Sequence, residues 1–369
     1  MQLKGFFPLA FAALAAAAEP LNAVLKANND TLSTLNSLLA MAPEIVKTLA
    51  SSNDFTILAP SNDAFVKAMQ MDPTFAQKAT NVTFVKDLLM YHVVAGKTTA
   101  SMFSTKPKFA ISRLELPTRN GTGAQRVELV KKADQAVIFS GYKQMSTVSK
   151  PDIAFSGGVL HVIDSVLTLP GTPSDTALNT GLTSMAGALM KAGLVEGLDS
   201  LNASTVFAPT NAAFQAIGAT AASMSPQDLA KILQYHVIMR QVRFSSGVTM
   251  KLGFKSLMGQ KVTLRKQDST VFVNSAKVII SDMITSEGVM HVIDSVLNPG
   301  EPKLTPNLSA SSATPAFAGA VAAANAPFTD GVTPTANFVP ASSSTTKNFK
   351  TTVGPAVLGL LGYLAVVVL

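Results

Sequence analysis

The heptad HVIDSVL occurs twice, at residues 161–167 and 291–297, preceded by SGGVL in one place and by SEGVM in the other. Two further landmarks repeat upstream in the same order. FTILAPSNDAF (55–65) is echoed by STVFAPTNAAF (204–214), and LLMYHVV (88–94) by ILQYHVI (232–238). Three ordered landmarks in duplicate make the chain a tandem repeat of one folding unit, and each unit needs a core of its own. The spacings locate the differences: Pro60 to Tyr91 is 31 residues against 26 from Pro209 to Tyr235, and Tyr91 to His161 is 70 against 56 from Tyr235 to His291. The longest extra piece lies around Leu116 to Gln125 and contains Asn120-Gly121, which reads as a hairpin tip because Asn-Gly favours the positive φ of a tight turn.

Within one unit the pattern reads helices first and strands later. Thr31 to Leu39 and Thr183 to Leu198 carry apolar residues at helical spacing. FTILAP and STVFAP are short β-prone runs closed by proline, and Ser61 or Asn62, and Thr210 or Asn211, offer oxygens to cap the next helix. Ser225-Pro226-Gln227-Asp228 is a helix start with a capping hydroxyl, proline in the first turn and an acid near the N-terminus. That helix runs to about Tyr235-His236. Alternating strands follow, such as Arg126 to Leu129 and Lys261 to Leu264. The fold class is α+β, two tandem units each with helices packed on a small twisted sheet. There is no cysteine, so both cores rely on apolar packing, which suits units well above about a hundred residues.

The strand ending in TILAPSNDAF, the central Tyr-His and the closing GVLHVIDSVL resemble the fasciclin domain, and both copies carry all three over about residues 20–299. The resemblance implies a compact β-wedge or sandwich with a helical layer, and a secreted or surface-anchored protein of adhesion or matrix. It implies that Tyr91-His92 and Tyr235-His236 lie beside an adhesive surface and help hold it in shape. It also sets Asp152-Ile153 beside an Asp-Ile element implicated in integrin recognition by animal relatives; the second copy departs from it with Asp282-Met283.

The ends read as processing signals. Residues 1–18 pair Lys4 with an apolar run closing on Ala16-Ala17-Ala18, the layout of a secretory signal peptide. At the other end an uncharged apolar tail, 353–369, follows a polar spacer and Ser342-Ser343-Ser344. This is the layout of a glycosylphosphatidylinositol (GPI) signal with attachment at Ser342, the alternative being a short tail-anchor helix. Between those signals the expected organisation is a first domain at 19–170, a second at 171–299, and a flexible Ser/Thr/Pro/Ala-rich stalk at 300–352, too poor in periodic apolar residues to fold. Five N-x-[ST] sequons, Asn29, Asn81, Asn120, Asn202 and Asn307, fit a secreted glycoprotein. Losing Lys4, Lys347 and Lys350 with the processed segments lowers the formal +7 to +4, too little to argue for nucleic acid.

All four histidines fall in the repeated landmarks. His161, Asp164 and Ser165 have the residue types of a hydrolase triad, but side chains alternate along a strand and Ser165 adjoins Asp164 rather than sitting on a sharp elbow. A structural role in each copy is the better reading for His161 with Asp164 and for His291 with Asp294. Tyr91-His92 and Tyr235-His236 end helices, where an imidazolium suits the dipole and the ring can bond a free carbonyl. No spacing suits a metal, no glycine-rich loop suits a phosphate, and no cofactor is expected. Basic residues gather in the second copy: Arg240, Arg243, Lys251, Lys255, Lys261, Arg265 and Lys266. Such a face offers a second reading, a module for acidic glycans or anionic lipids, beside adhesion by weak multivalent contact. The expected partners are cell-surface, wall or matrix components, homophilic protein contacts or acidic glycans, with the membrane reached through a lipid anchor.

Overall fold

The computed structural model describes residues 18–118, 121–306 and 315–341. The first copy opens with three helices, α1 (Leu21–Ala27), α2 (Asn29–Ala40) and α3 (Pro43–Ala50), and then enters β1 (Phe55–Pro60). Helices α4 (Asn62–Met71), α5 (Phe75–Lys78) and α6 (Val82–Tyr91) follow, and β2 (Val93–Ala95) leaves directly from the Tyr-His landmark. The remainder is strand: β3 (Lys108–Thr118), β4 (Gly121–Lys132), β5 (Gln135–Phe139), β6 (Met145–Phe155) and β7 (Gly158–Ile163). The seven strands close into a barrel in chain order, because β7 returns beside β1 and pairs with it in parallel.

That closure brings two distant sequence landmarks side by side. Phe55 to Pro60 pair one for one with Gly158 to Ile163. Both strands are buried along their whole length, which is why they read as continuous apolar runs rather than alternating ones. Phe55, Ile57, Ala59, Leu160 and Val162 face the helices, whereas Leu58 and Ile163 face the barrel interior with Tyr91, Val127 and Ile138. The approach is close: a Cβ on Gly158 would sit 1.9 Å from the Phe55 carbonyl oxygen.

The second copy repeats the plan with α7 (Pro173–Asn179), α8 (Thr183–Lys191), α9 (Val195–Asp199), β8 (Ser204–Pro209), α10 (Asn211–Ala216), α11 (Gly218–Ser223), α12 (Pro226–Tyr235) and β9 (Val237–Ile238). Strands β10 (Leu252–Lys255), β11 (Lys261–Gln267), β12 (Thr270–Val273), β13 (Ala276–Thr285) and β14 (Gly288–Ile293) complete it. Strand order is the same as in the first copy and β14 again lies parallel to β8. The seam differs: β2 and β3 pair at Val94 and Ser112, whereas the equivalent Ile238 meets only an isolated bridge at Ser256, beyond β10. The second sheet is therefore open.

The caps resolve in favour of the hydroxyls. Ser61 accepts from the Ala64 N–H, Thr210 from Ala213 and Ser225 from Asp228. The neighbouring asparagines turn back instead: Asn62 accepts from the Thr34 N–H and Asn211 from Ser184, tying the helix after each landmark to an earlier one. The helical run expected over Thr183 to Leu198 is broken between α8 and α9, where Gly193 takes a left-handed φ of 64°. Strands β3 and β4 pair out to Thr118 and Gly121, and Asn120 of the expected tip lies outside the described residues.

The expected unpacked stalk is ordered in part. Residues 315–341 run back along the second copy to the junction between the two. Phe328 packs edge-on against Phe214 with its carbonyl over Gly187, where a Cβ would come within 1.7 Å. The Ala323 N–H donates to the Gln215 carbonyl and Gln215 Nε2 donates back to the Ala323 carbonyl, the Phe338 N–H donates to the Asn179 carbonyl, and Phe338 stacks on Tyr142. The composition argument failed because a few phenylalanines spaced along a polar segment suffice to anchor it. Among the described residues no helix is long and apolar enough to cross a membrane.

A Gly187→Val variant is expected to release this strap while the second copy stays folded. Limited proteolysis should then cut within 315–341 at enzyme levels that leave the parent intact.

Candidate functional site

The Tyr-His landmark lies where β1, α6 and the segment after β7 meet. Tyr91 is fully buried and its hydroxyl donates to the Arg126 carbonyl at 2.9 Å. The His92 carbonyl accepts the Leu58 N–H of β1. On its ring, Nδ1–H donates to the Leu88 carbonyl at 2.7 Å and Nε2 accepts the Leu167 N–H at 2.9 Å. One side chain thus satisfies a helix-end carbonyl and a loop donor, two groups that would otherwise be buried unpaired. Tyr235 and His236 reproduce the arrangement on Lys261, Ile232 and Leu297, with Asn274 donating to the Tyr235 hydroxyl.

The carbonyl contact is as the sequence suggested; the imidazolium is not. Burial pulls His92 and His236 down to about 4, so both rings are neutral at ordinary pH. Neither ring reaches the surface.

His161 and His291 form a second pair of braces with the opposite tautomer. His161 Nε2–H donates to the Thr98 carbonyl at 2.8 Å, and Nδ1 accepts the Asp152 N–H at 3.1 Å. His291 does the same with Arg243 and Asp282. A buried threonine completes each brace, Thr56 or Thr205, accepting one backbone N–H and donating to one carbonyl. Burial lowers the His291 pKa, with the Asp282 carboxylate opposing the shift. Asp164 accepts the Thr147 N–H and Asp294 the Lys277 N–H, each fastening the segment after the closing strand to its neighbour. Ser165 donates to Asp164, not to His161. His161, Asp164 and Ser165 are not assembled as a triad, because both His161 nitrogens are engaged with backbone. Among the described residues no group of three His, Cys, Asp or Glu could hold a metal.

Asp152 and Asp282 occupy equivalent bulges in β6 and β13, each with a left-handed φ near 60° (58° and 63°). The Asp152 carboxylate accepts the Ala100 N–H and stays exposed; Ile153 is half-buried against the helical core. Asp282 accepts the Ser245 N–H and is only 1% exposed. The first copy lies against it, with Lys143 Nζ reaching its carbonyl at 3.4 Å. The same bulge is therefore open in one copy and covered in the other.

That cover is the junction between copies, which the linear sequence did not mark. Glu128 and Lys143 form a buried ion pair beside Asp282, and Lys143 also lies over the Phe139 ring. Burial pushes the Glu128 carboxyl up and Asp282 adds to it, while Lys143 pulls the other way. Phe109 stacks on Phe244 with centroids 3.7 Å apart, Gln125 donates to the Ser286 carbonyl, and the Ser286 N–H donates to Gly171. The two copies are docked, not strung on a linker.

The family model of the Fasciclin domain matches residues 30–170 and again 180–299. The chain belongs to the fasciclin domain family. Its relatives include a fasciclin-like arabinogalactan protein of Arthroderma benhamiae, 31% identical over 84% of this chain and 74% of that one. The fasciclin-like arabinogalactan protein elcF of Phaeosphaeria nodorum is 31% identical over 74% of this chain and 86% of its own. The transforming growth factor-beta-induced protein ig-h3 of Sus scrofa is 37% identical over 38% of this chain and 21% of its own. Relatives of this kind support a general adhesion or matrix role.

The run of basic residues divides between faces. Along β11, Lys261 and Arg265 project to one side and Lys266 to the other. Lys261 stands opposite Lys255, and Arg243 lies over the Phe254 ring with its guanidinium on Gln241. Arg240 is exposed at a left-handed turn. Of the sequons, Asn29 and Asn81 are exposed and Asn202 is half-buried. Asn120, Asn307, Ser342, the leader and the apolar tail lie outside the described residues.

Because His92 and His236 fall from an unfolded value of 6.5 to about 4, the unfolded chain binds more protons between those values. Their contribution is intact above about pH 6.5 and is lost as pH falls toward 4, by up to about 3 kcal/mol each. A His92→Gln, His236→Gln variant should be less stable at pH 7 and show a shallower loss over that window in denaturant titrations. Parallel slopes for the two proteins would refute the assignment.

Proposed function

We propose that the protein is a surface-tethered adhesion or cell-wall and matrix organising protein, acting through weak contacts of its two fasciclin domains. The observation that carries this reading is where the shared residues lie. The side chains that recur in both copies, Tyr-His and the closing His, are buried and engaged with their own backbone. They hold the scaffold. Contact is left to the exposed surface, where the copies differ.

Secretion, N-glycans on exposed sequons and a lipid anchor at Ser342 belong to the same proposal. Docking of the two domains makes one chain a single contact unit, so avidity comes from many copies on one surface. In the first domain the open Asp152 bulge is the available form of the Asp-Ile element, since Asp282 is covered.

Beads coated with the protein are expected to attach to cells that display it, or to their walls, well above beads coated with a heat-unfolded sample. Attachment that does not depend on the folded domains would end the proposal.

A further inference from the structure

The docking of the two domains leaves a groove of about 950 Å³ between them, at the upper end of ligand-site volumes. Its charge has one sign. Lys106, Lys131 and Lys132 line it from the first domain, and Lys266 and Lys277 from the second. Its one carboxylate, Glu128, is already neutralised by buried Lys143. Lys131 pairs with Asp134, itself 95% exposed, a contact that solvent screens. Lys106, Lys132, Lys266 and Lys277 form no ion pair among the described residues. Lys132 is held below the usual lysine range by burial and by the neighbouring Lys143 charge, a crowding of cations that an anion would relieve.

We infer that this interdomain groove binds an acidic polysaccharide, a sulfated or carboxylated glycan chain laid across both domains. The inference rests on the proposed surface role and names its partner class. Two features favour a glycan over a membrane or a nucleic acid. The cations line a concavity, which a flat bilayer cannot enter. Ser246, Thr249 and Ser281 put hydroxyls on the wall, suited to a hydroxyl-rich chain, and exposed Ile279 offers an apolar patch for a sugar face. All the cations are lysines, point charges that attract sulfate, carboxylate or phosphate alike, so the choice of a glycan rests on the shape and the hydroxyl lining of the groove. The basic residues prominent in the sequence contribute only Lys266; Lys255 and Lys261 lie outside the groove.

The full-length protein is titrated with heparin oligosaccharide and with polygalacturonate, at low and physiological salt. Uncharged dextran and phosphatidylserine vesicles serve as comparisons. Saturable binding of at least one acidic oligosaccharide that weakens with salt is expected, with none to dextran. Lys132→Glu and Lys266→Glu, one from each domain, should each lower the affinity about tenfold or more. A Lys255→Glu, Lys261→Glu variant should stay within about twofold of the parent. All these positions are at least partly exposed, and unchanged melting temperatures will show that the fold survives. Equal losses in the two sets would move the site to the second domain's outer face and overturn the proposal. So would vesicle binding without oligosaccharide binding, or no binding at all. Bead attachment is read separately, so adhesion can fail while the groove binds glycan, or the reverse.

Discussion

A pair of parallel strands with no solvent on either side sets the terms for everything around it. β1 and β7, and β8 with β14, are sandwiched between a helical layer and the sheet interior, and water cannot satisfy the backbone groups at their ends. Each domain meets that demand with two buried imidazoles whose two ring nitrogens donate and accept in opposite senses. One caps the end of a helix and links a helix carbonyl to the segment leaving the closing strand. The other stands within that strand and ties the sheet bulge to a loop more than sixty residues earlier in the first domain (His161 to Thr98). An imidazole suits both places because it donates along one edge and accepts along another while remaining mostly apolar in bulk.

This explains which parts of the fold were legible. The landmarks FTILAP, Tyr-His and HVID were visible because the same buried geometry recurs in both domains and admits few residue types. The caps were visible because a hydroxyl before a helix acts locally; only the choice between Ser61 and Asn62 needed the tertiary contact from α2. The junction was invisible for the opposite reason. Glu128, Lys143 and Asp282 are brought together from three separate strands and turns, and nothing in the local pattern around any one of them marks the other two as neighbours. The basic run of the second domain looked coherent on paper, but strand alternation sends Arg265 and Lys266 apart. Meanwhile Lys132 and Lys106, distant in sequence, share a groove with Lys266.

Duplication followed by docking also breaks the equivalence of the copies. Both carry a left-handed aspartate in the strand before the closing one, and both use it to hold a segment well upstream, at Ala100 or at Ser245. Docking buries the second and leaves the first exposed, so one ancestral feature now has two surroundings. The seam tells the same story: the first sheet closes into a barrel through the β2–β3 pair, whereas the second has only an isolated bridge at that seam and stays open.

The strap has a mechanical consequence. Chain leaving the second domain near Pro299 returns to the junction and ends its described path at Ala341, bonded to the Lys143 carbonyl. A pull arriving from beyond Ala341 therefore acts first on the strap's end, breaking its few contacts one after another from the junction toward Phe328. Peeled and extended, residues 300–341 reach roughly 140 Å at the usual rise of an extended chain. That slack is paid out before either domain is loaded, so the strap yields first and the folded domains feel a pull from that side only after it is spent.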